Sequence, residues 1–346
     1  MAPILRKLPI GLQDFAGLRK GGYLYVDKTA FIYKLATEGK QYFLGRPRRF
    51  GKSLLLSTIK YYFQGRKELF ESLAIAGLEK DWTEYPVFHI DLNIGNFSTL
   101  ELLDQRLDVI LSRMEKEWGV DRNAAIAPSS RLETLVIQAF NKTGKGVVVL
   151  FDEYDKPLLR TMNDVDLNEK TRTVLRDFYS VMKSADAYLQ FVLYTGVTKF
   201  SKISVFSDLN QPEDISMADK YAEICGITES ELIQNFEPEI QALAGRQKMT
   251  YENTLAELKR KYDGYHFSEE GTGMYNPFSL LNTFSQLTFR NYWYKTGTPT
   301  FLVEMIAAGD LDIRDLSDNV PLKLQKWMII ASEPIRLYPS FTKAAI

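Results

Sequence analysis

The chain has 346 residues, 45% of them apolar, which is enough to bury a full core and predicts about two domains. Its 43 basic and 44 acidic side chains leave a net charge of −1, so the overall balance carries no footprint of a polyanionic partner. A single cysteine, Cys225, excludes an internal disulfide, and with only His89 and His266 there is no Cys/His set of zinc spacing.

The N-terminus, Met-Ala-Pro-Ile-Leu-Arg-Lys-Leu-Pro, has no apolar run of signal-peptide length. No later stretch reaches the roughly 18 uncharged residues of a membrane span. Both observations, with the lone cysteine, predict a cytoplasmic protein that does not enter a membrane.

In chain order, Lys20-Gly-Gly22 is a turn and Tyr23-Leu-Tyr-Val26 a short β-like run. Asp27 and Thr29 are candidate caps for a helix carrying Phe31, Ile32 and Leu35. Gln41-Tyr-Phe-Leu44 is short and apolar; a loop of arginines, Pro47 and Gly51 follows it, then a helical stretch from Ser53 to Phe63.

A second apolar run spans Pro86 to Leu92, and amphipathic stretches near 99–117 and 131–142 come next, the latter stopped by Gly144-Lys-Gly146. Val147-Val-Val-Leu-Phe151 is β-branched and uncharged, as a strand buried on both faces of a parallel sheet must be. Residues 168–184 read as helix and Leu189–Thr195 as another strand. This alternation predicts βαβ units and an α/β sheet.

Beyond about residue 215 the pattern becomes helical, with stretches at Ile227–Ala244, Thr250–Lys261 and Asn276–Leu287. Asn276-Pro277 and Thr298-Pro299 each set a capping residue before a proline, which suits a helix start. The predicted division is therefore 1–215, 216–325 and a divergent tail, 326–346.

The chemistry concentrates at Gly51-Lys-Ser53, between a strand and a helix. A phosphate chain requires backbone N–H groups around it, a lysine that reaches its β- and γ-oxygens, and a hydroxyl for Mg²⁺. These residues stand in that order. The usual spacing, G-x-x-x-x-G-K-[ST], would set a glycine at position 46; this chain has Arg46, with Gly45 one position early.

The second signal is Asp152-Glu153, two acids at the carboxyl end of an apolar strand, where ligands of open α/β sheets bind. With the loop, they read as a magnesium carboxylate, Asp152, and a base for the attacking water, Glu153. Without it they would read as a solvated strand end. The metal candidates are Ser53 and Asp152. The candidate nucleotide contacts are Arg48, Arg49, Phe50, Gly51, Lys52, Ser53 and Leu54, and the catalytic candidates are Glu153, Lys52 and Thr195.

Thr195 ends the strand predicted to lie between the loop strand and the acid strand, either as a γ-phosphate sensor or as a plain strand end before Gly196. Arg46, Arg48 and Arg49 cannot all face one phosphate chain. One can act as an arginine finger, or they pair with Asp152, Glu153 or Asp155, or they face solvent. Lys199-Phe-Ser-Lys202 reads as a basic loop that either is solvated or reaches nucleotide or nucleic acid, and Tyr262-Asp-Gly-Tyr-His-Phe267 as aromatic packing around a glycine turn. His89 and His266 read as structural.

Six blocks in order carry a resemblance: Tyr25-Val-Asp-Lys-Thr29, Arg46-Pro-Arg-Arg-Phe-Gly-Lys-Ser-Leu54, Phe151-Asp-Glu-Tyr-Asp-Lys-Pro157, Thr195-Gly-Val-Thr-Lys-Phe-Ser-Lys202, Tyr262-Asp-Gly-Tyr-His-Phe267 and Asn276-Pro-Phe-Ser279. Together they resemble the bacterial AAA-ATPase-like proteins, from about residue 8 to 325. The resemblance implies a P-loop NTPase parallel sheet of the glutamate-base (ASCE/AAA-like) type, followed by a mainly helical region of which a winged helix is one form. It implies ATP and Mg²⁺ as ligands, with the loop residues on Gly51, Lys52 and Ser53 and the acids on Asp152 and Glu153.

Relatives of that kind also carry arginine at the position of Arg46, and often continue into a domain resembling PD-(D/E)xK nucleases. Here the likeness fades near Lys326-Trp327, and Met328–Ile346 reads as a truncated or frameshifted end. Three functions follow as expectations: an ATP hydrolase whose cycle moves the helical region, a nucleotide-dependent switch with little turnover, or a DNA-associated module. The neutral charge counts against the last. The partner beyond the nucleotide, a protein or a nucleic acid, is not named by the sequence. A kinase would need an acceptor pocket, of which there is no sequence sign.

Overall fold

Five strands form one sheet in the order β2-β3-β4-β1-β5: β1 (Gln41–Gly45), β2 (Val87–Asp91), β3 (Val147–Asp152), β4 (Leu189–Gly196) and β5 (Glu213–Asp214). Every pairing is parallel. The computed structural model describes residues 6–123, 126–197, 212–268, 271 and 273–293. They divide into two units, one made of Arg6–Arg46 and Gly51–Cys225, the other of Pro47–Phe50 and the chain from Gly226.

The first unit holds the sheet. All residues of β1 and β3 are buried, as strands covered on both faces should be, including Asp152 at the end of β3. On one face Val147, Val149 and Phe151 share a core with α5 (Leu100–Trp118), α6 (Pro128–Thr143) and α8 (Val165–Ser184). Helix α3 (Lys52–Phe63) packs on β2 and β3. Leu103, Leu107, Leu111 and Met114 recur along α5 at helical spacing and are buried, each completely buried leucine contributing about 1.5–3 kcal/mol.

The sheet order bears out the expectation of a strand between the loop strand and the acid strand, since β4 separates β1 from β3. Register aligns the carboxyl ends: Gly45 faces Gly196, Leu44 faces Thr195, and Asp91 faces Asp152. The strand-end candidates Asp152 and Thr195 therefore lie at the carboxyl edge of the sheet. The smaller helices α1 (Phe15–Lys20), α4 (Ala74–Leu78) and α7 (Lys156–Thr161), and the exposed two-residue β5, have no sequence counterpart above.

Tyr23–Val26 is not a strand. Tyr23 N–H donates to Leu18 O and Leu24 N–H to Lys7 O, so these backbone groups are satisfied within the N-terminal loop and build no ladder. Helix α2 (Thr29–Glu38) starts at Thr29. Asp27 Oδ1 accepts from the Thr29 N–H and hydroxyl at 2.8 and 2.7 Å. Its Oδ2 accepts from Ala74 N–H at 2.7 Å, and Thr29 Oγ1 from Ile75 N–H at 3.1 Å. The Asp-Lys-Thr block thus caps the start of α4 from a distant part of the chain.

The second unit is helical: α9 (Glu229–Gln247), α10 (Tyr251–Tyr262) and α11 (Pro277–Gln286). A capping box of Thr228 and Glu231 starts α9, and Pro238 kinks it at Phe236, which has non-helical φ −125°. Asn276 Oδ1 accepts from Ser279 N–H at 2.9 Å, so the predicted Asn-Pro helix start is present. Among the described residues of this unit, β pairing is confined to the bridges Ile227↔Tyr275 and Tyr265↔Met274. Lys199–Lys202, Thr298-Pro299 and residues 326–346 lie outside the described residues. Among the described residues no helix is long and apolar enough to cross a membrane.

Candidate functional site

β1 runs into α3 through Gly51, whose φ of +93° suits glycine and whose Cβ position is open space. No side chain caps this end of α3, so its first turn presents backbone N–H groups and the positive end of the helix dipole. Lys52 is 4% exposed; its ammonium donates to Arg46 O at 3.0 Å and pairs with Glu153 Oε1 at 3.4 Å. Leu54, half-buried in the first turn, accepts the Thr58 hydroxyl at its carbonyl.

The Ser53 hydroxyl hydrogen-bonds the Asp152 carboxylate, and the Thr195 hydroxyl donates to Asp152 Oδ1 at 2.7 Å. Burial pushes the Asp152 carboxyl up in pKa, and these two hydrogen bonds oppose it. The donor set fits a hard divalent cation: one hydroxyl and one carboxylate, already in contact. No group of three His, Cys, Asp or Glu side chains suited to a metal is found among the described residues.

Glu153 adopts φ +55°, a left-handed conformation that costs a non-glycine residue of order 1 kcal/mol. The residues after it are built around the tip of β4. Tyr154 N–H donates to Thr195 O at 3.0 Å, and buried Asp155 accepts Val197 N–H at 2.9 Å. The Lys156 ammonium donates to the Asn93 amide oxygen at 2.5 Å. Asp155 was not among the functional candidates; the repeated acid in Asp-Glu-Tyr-Asp was the only signal for it.

Gly196 is required where Tyr154 and Asp155 close over β4. A Cβ there would stand 2.6 Å from Tyr154 Cδ1 and 2.9 Å from Asp155 Oδ1, and Tyr154 is completely buried. Gly196→Ala is therefore expected to destabilise the protein by about 1–3 kcal/mol, the usual cost of overpacking, read as a lower urea midpoint. An unchanged midpoint would show that the turn yields freely.

The three arginines have separate fates. Arg46 is completely buried and donates to the backbone carbonyls of Gly45, Ser216, Tyr221 and Ala222. Arg48 and Arg49 belong to the second unit. Arg48 O accepts from the Trp293 indole at 3.0 Å, and the exposed Arg49, at φ +70°, lays its guanidinium 4.8 Å from the centre of the Phe278 ring. The Phe50 ring is buried edge-on against Tyr265 and Phe267, at 4.6 and 5.4 Å between centroids. The aromatic run Tyr262–Phe267 is thus packing, as its sequence suggests, and the Phe50 ring packs with it.

His89 lies in β2 opposite Leu150, and burial pulls its pKa down, so the ring is neutral at pH 7. His266 is exposed, its Nδ1 3.3 Å from Gly271 O. Of the sequence candidates, Lys52, Ser53, Asp152, Glu153 and Thr195 come together within the first unit.

A family model described as Predicted AAA-ATPase matches residues 9–206, more than half of the chain. The chain belongs to that family. The match takes in all the strands of the AAA-ATPase-like sheet except β5, together with every candidate residue of the first unit. The chain is also 40% identical over 303 residues to an uncharacterized protein encoded in the vnfD 5′ region of Azotobacter chroococcum mcd 1. That alignment covers 87% of this chain and 56% of the relative, so the chain spans little more than half the relative's length.

Proposed function

We propose that this AAA-ATPase-like protein binds ATP with Mg²⁺ at the start of α3 and hydrolyses it, coupling nucleotide state to movement of the helical region. One observation carries the reading: the Ser53–Asp152–Thr195 hydrogen-bond chain lies beside the Lys52–Glu153 pair. A lysine, a hydroxyl, a deeply buried carboxylate and a second, partly exposed carboxylate are the groups that phosphoanhydride hydrolysis needs.

In this reading the α3 N–H groups of Gly51, Lys52 and Ser53 hold phosphate oxygens, and Lys52 neutralises charge on the β- and γ-groups. Ser53 and Asp152 would hold the metal ion, whose chemistry is to neutralise charge on the phosphate oxygens. Glu153 orients a water and accepts its proton. Thr195, whose hydroxyl is engaged by Asp152, acts as a positioning residue for that carboxylate. Cytoplasmic location belongs to the same reading, supported by the single, buried Cys225.

Titration with a fluorescent ATP analogue and Mg²⁺ tests it. The wild type is expected to bind, and Lys52→Ala to bind at least about tenfold more weakly, the loss of one charged hydrogen-bond partner. Equal binding by the two would sink the assignment. A second reading, a nucleotide-dependent switch that turns over little, is favoured by the pairing of Glu153 with Lys52. Tight binding without measurable phosphate release would support the switch.

A further inference from the structure

Where the usual spacing puts the first glycine of the loop, this chain has a buried arginine with six hydrogen bonds described. From Nη1 it donates to Gly45 O at 3.0 Å and Ser216 O at 2.6 Å. From Nη2 it donates to Tyr221 O at 3.0 Å and Ala222 O at 3.3 Å. Its backbone N–H donates to Gly196 O at 3.1 Å, and its carbonyl accepts the Lys52 ammonium at 3.0 Å.

A guanidinium buried to 0% exposure loses its hydration, and only a near-complete set of hydrogen bonds offsets that loss. The fork of N–H groups meets this by gathering carbonyls from a segment that is remote in sequence. The same segment is tied to β1 by two further bonds: Ser216 Oγ accepts from Gly45 N–H at 2.8 Å, and Ile215 N–H donates to Phe43 O at 3.0 Å. Burial pulls the Arg46 pKa down to about 10, so it remains a cation at neutral pH. With no exposed surface and both terminal nitrogens turned to carbonyls, it is not an arginine finger.

Cys225 lies close enough to Arg46, Lys52 and Lys28 for all three cations to favour its thiolate, although burial raises its pKa overall. This thiol is therefore a built-in reporter of the same neighbourhood.

We propose that Arg46 is the positioning residue for Lys52: its guanidinium ties the end of β1 to the carbonyls of residues 216–222, and its own carbonyl, fixed in this way, holds the Lys52 ammonium. An arginine brace thus does here what a tight glycine turn does in the usual loop. The proposal rests on the reading of Lys52 as a phosphate ligand, and the experiment separates the two.

Arg46→Gly recreates the usual G-x-x-x-x-G-K-S spacing, so a motif argument predicts equal or better nucleotide binding. The brace predicts the reverse: binding of Mg·ATP at least about tenfold weaker, with Cys225, the sole cysteine, labelled faster by a thiol reagent. Arg46→Lys, which keeps the charge but not the fork, is expected to fall between. A core variant with a comparable loss of melting temperature, Leu111→Ala, should keep wild-type affinity, which separates positioning from general stability. In a Lys52→Ala background, Arg46→Lys should cause no further loss of affinity.

Arg46→Gly that binds Mg·ATP as well as wild type with Cys225 still protected overturns the brace. If the glycine variant does not fold, Arg46→Lys decides: wild-type affinity and wild-type labelling overturn the proposal. If the wild type itself binds no Mg·ATP, the phosphate site has failed. The labelling rate in Arg46→Lys then judges the brace alone, faster labelling supporting it and an unchanged rate overturning it.

Discussion

Glu153→Gln is expected to bind Mg·ATP about as well as wild type and to release phosphate about 10²–10⁴-fold more slowly, the range for removing a general base. The substitution keeps the size of the side chain and its oxygen toward Lys52 but removes the proton acceptor. The starting geometry makes the result informative. Glu153 sits at φ +55° with its carboxylate 3.4 Å from Lys52, so the backbone conformation that aims it there is already strained.

Lys52 cannot serve Glu153 and a phosphate chain fully at once. Nucleotide binding is thus expected to loosen that pair and release Glu153 to take up a water. The glutamine variant forfeits the charge attraction to Lys52, so its affinity for ATP should hold or rise slightly. Single-turnover phosphate release with a binding titration on the same samples checks both halves. Equal rates in the two proteins would assign the reaction to another base or leave only the switch.

Arg131→Leu is expected to lower stability by about 3–5 kcal/mol, because it strands a buried acid. Arg131 on α6 is 3% exposed and Glu115 on α5 2%, and they share two hydrogen bonds of 2.7 Å. Arg131 also donates to Asp108 at 2.7 Å and to Ser112 at 3.1 Å, so one guanidinium joins α5 to α6. Removing both partners, Arg131→Leu with Glu115→Leu, should recover most of the loss. Urea unfolding of the single and double variants measures it, and a loss below about 1 kcal/mol in the single variant would contradict the burial argument.

The network also sets a pH response. Burial pushes the Asp108 carboxyl up, but hydrogen bonds from Arg131 and Arg122 outweigh it and hold the group below its usual value. A depressed folded pKa means that this contribution is complete above the unfolded value, about 3.9. It is lost as pH falls through the lower folded value. Arg131→Leu should therefore weaken the acid limb of the stability profile below pH ~4 as well as lowering the plateau.

The parts of the fold legible in the sequence were those with a period or a named chemistry. Val147–Phe151 is an unbroken apolar run, and α5 and α6 carry apolar faces at helical spacing, so each was readable from residues within one element. The Asn276-Pro277 start of α11 is a local signal in the same way. β5 has two exposed residues and no pattern, and it exists because β1 offers an edge. Tyr23–Val26 has strand composition, but its backbone found partners in a loop.

At the site, residue types were legible and directions were not. Thr195 could be named from its strand end, but the turn of its hydroxyl to Asp152 depends on register between β3 and β4. Arg46 was visible only as a break in the usual glycine spacing, since its carbonyl partners at 216–222 lie far along the chain. Phe50 sits among the loop residues in sequence, yet its ring is held by Tyr265 and Phe267.

The strand order has a consequence for synthesis on the ribosome. β1 is among the first elements translated, but its neighbours are β4 and β5, which emerge only after residue 189 and residue 213. Until then the strand that leads into the phosphate loop has both edges unpaired, and Arg46 has none of its partners at 216–222. The nascent chain must carry this apolar strand through most of the sheet's translation, a long exposure to mispairing. On the proposed reading, nucleotide would stabilise the protein only once that last segment has left the exit tunnel.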